Sequence, residues 1–151
     1  MTTEFADLHQ LHHAVQVELE VKLFTVLGVS DEGRTMTRLY SSHLREYPVG
    51  STKRTATDVS PEWVSACVGR QQPYLAVTAA DVARVFTDSA LIRSLGCGSS
   101  INAPVVEGGV TLGVLNILGL ENAYGQREVQ TAARLAARSA AAVTVAMGDR
   151  R

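Results

Sequence analysis

The first forty residues change from a helical to a strand pattern of hydrophobic positions. Residues 3–22 carry a narrow seam with alternating spacings of three and four, which predicts a helix suited to pairing with another helix. The seam consists of Phe5, Leu8, His12, Val15 and Leu19. Leu23–Ser30 is apolar, and the turn residues Asp31–Gly33 separate it from the alternating segment at residues 34–42. These two segments are predicted to form a β-hairpin.

The middle of the chain combines a stretch without periodicity and several short elements. Residues 43–57 show no regular pattern and are predicted to form a loop that shapes or covers a site. Ser60 and Pro61 suit a helix N-cap and a first helical position, so a helix is predicted from there to about Gly69. A strand at residues 73–77 and helices at residues 78–86 and 89–95 follow.

The last third of the chain predicts a second hairpin and a long helix. Two apolar segments, residues 97–106 and 110–118, flank a glycine-rich turn, and the alanine-rich stretch 126–148 is predicted to be one helix. Polar residues interrupt both apolar segments, and burying them without partners would be costly. They are Ser99, Ser100, Asn102 and Asn116. Their positions predict a pocket.

The composition predicts one cytoplasmic domain that binds neither nucleic acid nor membrane. The 151 residues suit one domain with a sizeable core, since 46% of them are hydrophobic. Its 14 basic and 15 acidic residues give a net charge of −1, so Lys53 and Arg54 are interpreted as solvated rather than as a nucleic-acid surface. The N-terminus lacks a signal-peptide pattern, and no stretch approaches the roughly 20 apolar residues of a membrane helix. Both cysteines are expected to be free thiols.

Three segments resemble the GAF domain family, and the likeness spans about residues 20–145. They are Ser99 to Val106, the strand Leu112-Gly113-Val114-Leu115-Asn116, and the helix entry Tyr124-Gly125-Gln126-Arg127-Glu128. The resemblance implies an α+β fold over residues 1–151, with a central antiparallel sheet of five or six strands. It also implies that the first and last helices share one face of the sheet, and that short helices cover a ligand pocket on the other.

Within the family, the chain resembles short stand-alone bacterial GAF proteins. This likeness rests on Tyr47-Pro48-Val49-Gly50, on Trp63, and on Ser94 to Ser99. It implies a small-molecule-binding sensor that acts in trans on a partner protein, as a homodimer through the first and last helices. The small residues Ala132, Ala136 and Ser139 would permit close helix approach, or they simply pack on the chain's own sheet.

The predicted pocket binds a small organic molecule through residues from several elements. Tyr40 and Ser42 are predicted to form its floor, Trp63 and Phe86 an apolar wall, and Ser99, Ser100, Asn102 and Asn116 its polar contacts, with Cys97 at the rim. The aromatic residues could equally be core. The loop around Tyr47 and the helices over residues 81–95 are expected to close over the ligand and transmit the signal. Asp81, Asp88 and Arg93 in those helices could contact a polar ligand or act as caps and surface charges.

Two further functional classes stay open. A metabolite enzyme (hydrolase, isomerase or reductase) would use Cys97 as nucleophile or redox group, or Asp81 as general base, whereas Cys97 could also be a small buried residue. A dimerising adaptor would have its cavity filled by its own side chains. No cofactor is expected, since the chain lacks support for a covalent bilin or a haem. No metal site is expected either, because the adjacent His12 and His13 point about 100° apart on a helix.

Overall fold

The computed structural model describes residues 3–148 and contains one six-stranded antiparallel sheet. In chain order the strands are β1 (Leu23–Ser30), β2 (Thr35–Ser41), β3 (Thr52–Arg54), β4 (Tyr74–Ala76), β5 (Ser99–Glu107) and β6 (Val110–Gly119). Across the sheet they lie in the order β3, β2, β1, β6, β5, β4. Both predicted hairpins are present, and the sheet matches the predicted antiparallel architecture.

Helices cover both faces of the sheet and divide the core into two clusters. They are α1 (Leu8–Glu18), α2 (Pro61–Val64, continued by a π-helical turn at Ser65–Gly69), α3 (Ala79–Val85), α4 (Ser89–Ser94), α5 (Gln126–Ala136) and α6 (Ala140–Gly148). One cluster lies between the sheet and α1, α5 and α6, and the other lies between the sheet and α2, α3 and α4. The predicted separation of the terminal helices from the short helices is confirmed.

Local sequence signals explain where several elements begin and turn. Ser60 caps α2, because its hydroxyl accepts a hydrogen bond of 3.2 Å from the Trp63 amide and Pro61 occupies the first helical position. The β5–β6 turn places Gly108 and Gly109 at φ of 58° and 76°. Two successive positive φ angles suit a tight hairpin whose twist matches the strands, and glycine adopts them without steric cost.

The predicted single C-terminal helix over residues 126–148 is wrong, because two helices occupy that stretch. The Arg138 carbonyl accepts a hydrogen bond of 2.9 Å from the Phe5 amide, and thereby ties the N-terminal segment to the break. Ser139 donates its hydroxyl to the Leu135 carbonyl at 2.7 Å, a local bond of the kind that bends helices. The chain therefore turns between α5 and α6.

Two other boundaries differ from the sequence prediction. The first helix does not span residues 3–22: it begins at Leu8, where Asp7 accepts a hydrogen bond of 2.9 Å from the Gln10 amide, and it ends before the extended Leu19. The segment at residues 43–57 is not entirely a loop, since it contains β3. The sequence of β3 shows no strand pattern of its own. It forms an edge strand because β2 supplies its hydrogen-bonding partners.

Candidate functional site

A small cavity, partly open to the surface, lies between the sheet and helices α2 and α4. Its volume is about 30 Å³, which is room for about two water molecules. Apolar side chains form most of its wall: Leu23, Leu27, Val59, Trp63, Phe86, Ile92 and Leu118. Its polar lining consists of Thr25, Arg38, Tyr47, Lys53, Asp88, Asn102 and Asn116. A ligand site usually combines apolar walls with polar groups that fix the orientation of the ligand, and here the polar share of the lining residues is high.

Four of the polar lining residues form a charged cluster, defined as Arg38, Tyr47, Lys53 and Asp88. The Tyr47 hydroxyl donates to Asp88 Oδ2 at 2.6 Å, and Lys53 Nζ donates to Asp88 Oδ1 at 3.2 Å. The Arg38 guanidinium lies 4.7 Å from the centroid of the Tyr47 ring. Asp88 immediately precedes α4 but makes no capping hydrogen bond there. Its carboxylate therefore serves the cavity rather than the helix.

Burial and pairing shift the pKa values within the charged cluster in opposing directions. Burial raises the pKa of Asp88, but Lys53 and the hydrogen bond from Tyr47 outweigh it, so the net pKa lies below the usual 3.8. Burial, assisted by the nearby charge of Arg38, lowers the pKa of Lys53 despite the opposing effect of Asp88. Burial and the bond to Asp88 raise the pKa of Tyr47, and burial lowers the pKa of Arg38. The cluster thus holds charges that are only partly compensated.

A chain of side-chain hydrogen bonds crosses the centre of the sheet. Thr25, Asn116 and Asn102 lie directly opposite one another on β1, β6 and β5. Asn102 Nδ2 donates to Asn116 Oδ1 at 2.8 Å, and Asn116 Nδ2 donates to Thr25 Oγ1 at 3.0 Å. The two asparagines predicted as polar pocket contacts are therefore brought together at the cavity.

Three buried polar atoms among the cavity-lining residues lack a hydrogen-bond partner within residues 3–148. They are Arg38 Nε, Trp63 Nε1 and Asn102 Oδ1. Leaving a buried donor or acceptor unpaired costs about 1–3 kcal/mol, and most buried polar groups in proteins are paired. Three such atoms on residues that line one small cavity are consistent with a site that a polar molecule completes.

Of the residues predicted for the pocket, five line the cavity: Tyr47, Trp63, Phe86, Asn102 and Asn116. Tyr40 and Ser42 do not form its floor. The β1–β2 register shifts where Val26 faces Tyr40 and Leu27 faces Arg38, which leaves an extra residue in β2. This bulge turns Tyr40 to the α1 side of the sheet, where its hydroxyl is 2.7 Å from His12 Nδ1.

Cys97, Ser99 and Ser100 are buried near the cavity but do not line it. Burial raises the pKa of Cys97, which opposes the thiolate that a nucleophilic role would use. The Ser99 hydroxyl donates to the Ala76 carbonyl at 3.0 Å. Ser100 alternates with Ser99 along β5, and its hydroxyl is buried without a partner in the described chain. Of the three, Ser99 thereby links β5, the strand that carries Asn102, to β4.

Asp81 occupies a helix-capping position outside the cavity. Its carboxylate accepts a hydrogen bond of 3.1 Å from the Thr78 amide, while the Thr78 hydroxyl accepts one from the Asp81 amide. Together these form a capping box at the start of α3. The bonds from Thr78 lower the pKa of Asp81, and Arg84 pairs with its carboxylate. These contacts give Asp81 a structural role at the start of α3 and not a place in the cavity.

Arg38 and Lys53 line the cavity but were not predicted to do so. Only 17% of the Lys53 side chain is exposed, so its interpretation as a solvated lysine is wrong. The position of Arg38 could have been found from the sequence. It lies two residues after the buried Met36 and therefore on the same face of β2, which faces the core. The position of Lys53 could not have been found in this way, since its pairing with Asp88 joins residues 35 positions apart.

A separate polar cluster lies under α1 on the opposite face of the sheet. His12 stacks on Phe24 with ring centroids 5.1 Å apart, and its Nδ1 contacts the Tyr40 hydroxyl. Burial, with smaller contributions from His9 and His43, lowers the pKa of His12 below 6.5. Protonating His12 therefore opposes the packing of α1 on the sheet.

The shift at His12 predicts a loss of stability in mild acid. The unfolded chain binds a proton at a higher pH than the folded chain, so the free energy of unfolding falls as pH drops below 6.5. Urea unfolding from about pH 7.5 to about pH 5 measures this dependence. His12→Gln is expected to flatten it, while the exposed His13→Gln leaves it unchanged. Equal pH profiles for His12→Gln and the wild type would contradict the assignment.

Residues 3–148 contain neither a membrane-spanning helix nor a cluster of metal ligands. No helix of residues 3–148 combines the length and the apolar character needed to cross a membrane. Across the same residues, no three His, Cys, Asp or Glu side chains are grouped as metal ligands. Both cysteines are free and buried, as expected from the sequence.

Comparison with known proteins shows the fold. No family model and no curated protein matches the sequence. The GAF domain/HD domain protein from Geobacter sulfurreducens is 12% identical with a TM-score of 0.74, over 93% of this chain and 91% of that one. The GAF domain of a two-component sensor histidine kinase from Bacillus halodurans is 14% identical with a TM-score of 0.68, over 95% and 94% of the two chains. The chain therefore has the GAF-domain fold.

A third similar structure contains a pigment. It is a far-red absorbing dark state with bound biliverdin IXα, 14% identical with a TM-score of 0.62, over 96% of this chain and 92% of that one. In this chain, the cavity holds about two water molecules and neither Cys67 nor Cys97 lines it. The residues present therefore do not fit a covalently held tetrapyrrole.

Proposed function

We propose that this GAF-fold chain is a sensory module that binds a small organic molecule in the cavity beneath α2 and α4. The observation that carries the proposal is the set of unpaired buried atoms on Arg38, Trp63 and Asn102, three residues that line one cavity. A ligand with complementary polar groups would remove their desolvation cost on binding. Apolar residues around the same cavity would supply the remaining affinity.

Ligand entry is proposed to displace the segment that closes the cavity. Because the cavity is small, any ligand larger than a few atoms must push its wall outward. The bonds from Tyr47 and Lys53 to Asp88 link the loop, the edge strand β3 and the start of α4. These elements are short, and α4 lacks a side-chain cap. They are therefore the part of the wall that moves most readily and carries the signal.

The signal is proposed to pass to a partner protein in the cytoplasm, with the chain acting as a homodimer. Similar structures include a domain of a sensor histidine kinase, which supports a signalling context. Ala132, Ala136 and Ser139 are buried against the chain's own sheet, so a dimer through the helical face would use exposed residues such as Val17 and Val145. Analytical ultracentrifugation tests this arrangement, and a monomer at every concentration would contradict it.

The fluorescence of Trp63 provides a direct test of ligand binding. Trp63 is the chain's one tryptophan and it lines the cavity. Candidate ligands come from native mass spectrometry of the purified protein or from a metabolite library. We expect titration with at least one of them to change this fluorescence saturably and to raise Tm. Asn102→Ala is expected to weaken binding, while Gln130→Ala on the exposed side of α5 is the matched control. A library that leaves both fluorescence and Tm unchanged would contradict the proposal.

A further inference from the structure

We propose that the ligand of this cavity is a small organic monocarboxylate whose carboxylate is bound by Arg38 and Trp63. This inference rests on the proposed ligand-binding function of the same cavity. It adds the chemical class of the ligand and the two side chains that recognise its charged end.

Arg38 is a buried cation that has no carboxylate within ion-pair distance in residues 3–148, although the charge of Asp88 acts on it from farther away. The residue is 5% exposed, and among the described residues its side chain makes one hydrogen bond, from Nη1 to Ser51 Oγ at 3.0 Å. Within residues 3–148 no carboxylate lies within ion-pair distance of its guanidinium. Burying an unpaired charge is costly, and an arginine retains its charge in proteins. An anion in the cavity would supply the missing partner.

The unpaired atoms of Arg38 and Trp63 are both hydrogen-bond donors. The guanidinium Nε–H and the indole Nε1–H can donate but cannot accept. Their partner must therefore present acceptor atoms, and hydrogen bonds to a charged acceptor are the strongest of these. A carboxylate has two acceptor oxygens and can serve both donors at once. A ligand amine would leave both donors unpaired and would add to the positive charge.

The net charge of the cavity selects a monoanion. Arg38 and Lys53 are positive and Asp88 is negative, while Tyr47 stays neutral because its pKa is raised. The sum is one positive charge, which a single carboxylate neutralises. A dianion such as a phosphate monoester would leave a net negative charge beside Asp88. The charge balance therefore favours a carboxylate over a phosphate.

The rest of the cavity defines the body of the ligand. Leu23, Leu27 and Leu118 form an apolar floor on the central strands, which suits a short hydrocarbon portion. Asn102 Oδ1 lacks a partner in the described chain and can accept a hydrogen bond from a ligand hydroxyl or amide. Short aliphatic monocarboxylates and their hydroxy derivatives combine these features at a size close to that of the cavity.

The test compares each carboxylic acid with its uncharged counterpart. Short aliphatic and hydroxy monocarboxylates and their primary amides are titrated against the full chain, with Trp63 fluorescence and calorimetry as readouts. At least one acid is expected to bind about tenfold or more tightly than its amide, since hydrogen bonds to charged groups exceed neutral ones by that order. Amides that bind as tightly as their acids would overturn the inference.

Variants then identify the residues that recognise the carboxylate. Arg38→Gln is expected to weaken binding of the best acid by about tenfold to a hundredfold. The exposed arginine in Arg54→Gln is the matched control and should leave affinity unchanged. Trp63→Phe keeps a ring in the wall but removes the indole donor, and calorimetry should record a loss of several fold. It also provides a second test if Arg38→Gln does not fold.

The outcomes separate this inference from the proposed function. If Arg38→Gln binds the acid as tightly as the wild type does, the carboxylate assignment is overturned. If Arg38→Gln does not fold, unchanged acid affinity in Trp63→Phe overturns it instead. Binding of neutral or cationic library compounds only would do the same, and would leave the ligand-binding function standing. Failure of every compound, charged or neutral, to bind the wild type would overturn both.

Discussion

Gly113→Ala is expected to lower the free energy of unfolding by about 3 kcal/mol. Gly113 pairs with Gly28 across β1 and β6, the two central strands of the sheet. A Cβ at position 113 would lie 2.6 Å from the Leu27 carbonyl oxygen and 3.2 Å from Val143 Cγ1. Neither a backbone oxygen in a central strand nor a buried valine of α6 can move without disturbing the core. The strands would have to separate to accept the methyl group.

Urea unfolding of Gly113→Ala and of a matched glycine variant checks this expectation. In Gly69→Ala the added Cβ would meet nothing closer than the Val64 carbonyl oxygen at 3.9 Å. That variant is expected to stay within about 0.5 kcal/mol of the wild type or to be slightly more stable, since alanine restricts the unfolded chain. Equal stability of the two variants would show that the β1–β6 contact is looser than described.

The parts of the fold that follow from local chemistry could be predicted from the sequence. Ser60 and Pro61 predict the start of α2, and the glycine turn predicts the β5–β6 hairpin, because each signal acts within a few residues. The resemblance to GAF domains supplied the arrangement of helices on the two faces. Asn102 and Asn116 were predicted as pocket residues because an amide in an apolar strand needs a partner.

The features that were missed depend on partners far away in the sequence. The bulge that turns Tyr40 away from the cavity is a property of the β1–β2 pairing and leaves no mark in the alternation of β2. The break between α5 and α6 is stabilised by the Phe5 amide, more than a hundred residues away. β3 is a strand because β2 offers it an edge. In each case contacts between distant residues override the structure that the local sequence pattern favours.

The charged end of the cavity could be predicted only in part: Tyr47 and Asp88 were candidates for ligand contact, but their meeting with Arg38 and Lys53 was not indicated. Tyr47 and Asp88 are 41 residues apart and Lys53 and Asp88 are 35 apart, so no spacing along the chain indicates that they meet. Asp88 also precedes a helix, where an aspartate is normally interpreted as a cap. Its carboxylate instead joins the charged cluster, where it accepts hydrogen bonds from both Tyr47 and Lys53.

Asp88→Asn is accordingly expected to lower the free energy of unfolding by about 2–4 kcal/mol. The substitution keeps the shape of the side chain but removes the negative charge that faces Lys53 and Arg38. Only 17% of the Lys53 side chain is exposed, so water compensates poorly for the lost partner. The exposed pair of Asp31 and Arg34 is the matched control, and Asp31→Asn should change stability by less than about 0.5 kcal/mol.

The pH dependence and a double-mutant cycle distinguish this ion pair from simple loss of packing. The lowered pKa of Asp88 means that its contribution is present above pH 3.8 and is lost as pH falls through the folded pKa, so Asp88→Asn should remove that part of the acid sensitivity. Lys53→Met in the Asp88→Asn background should recover stability, because it removes the buried charge left unpaired. A coupling energy of about 1 kcal/mol or more confirms the pair. Additive effects of the two substitutions would mean that Asp88 acts through packing alone, and that the link between β3 and α4 does not hold the cavity closed.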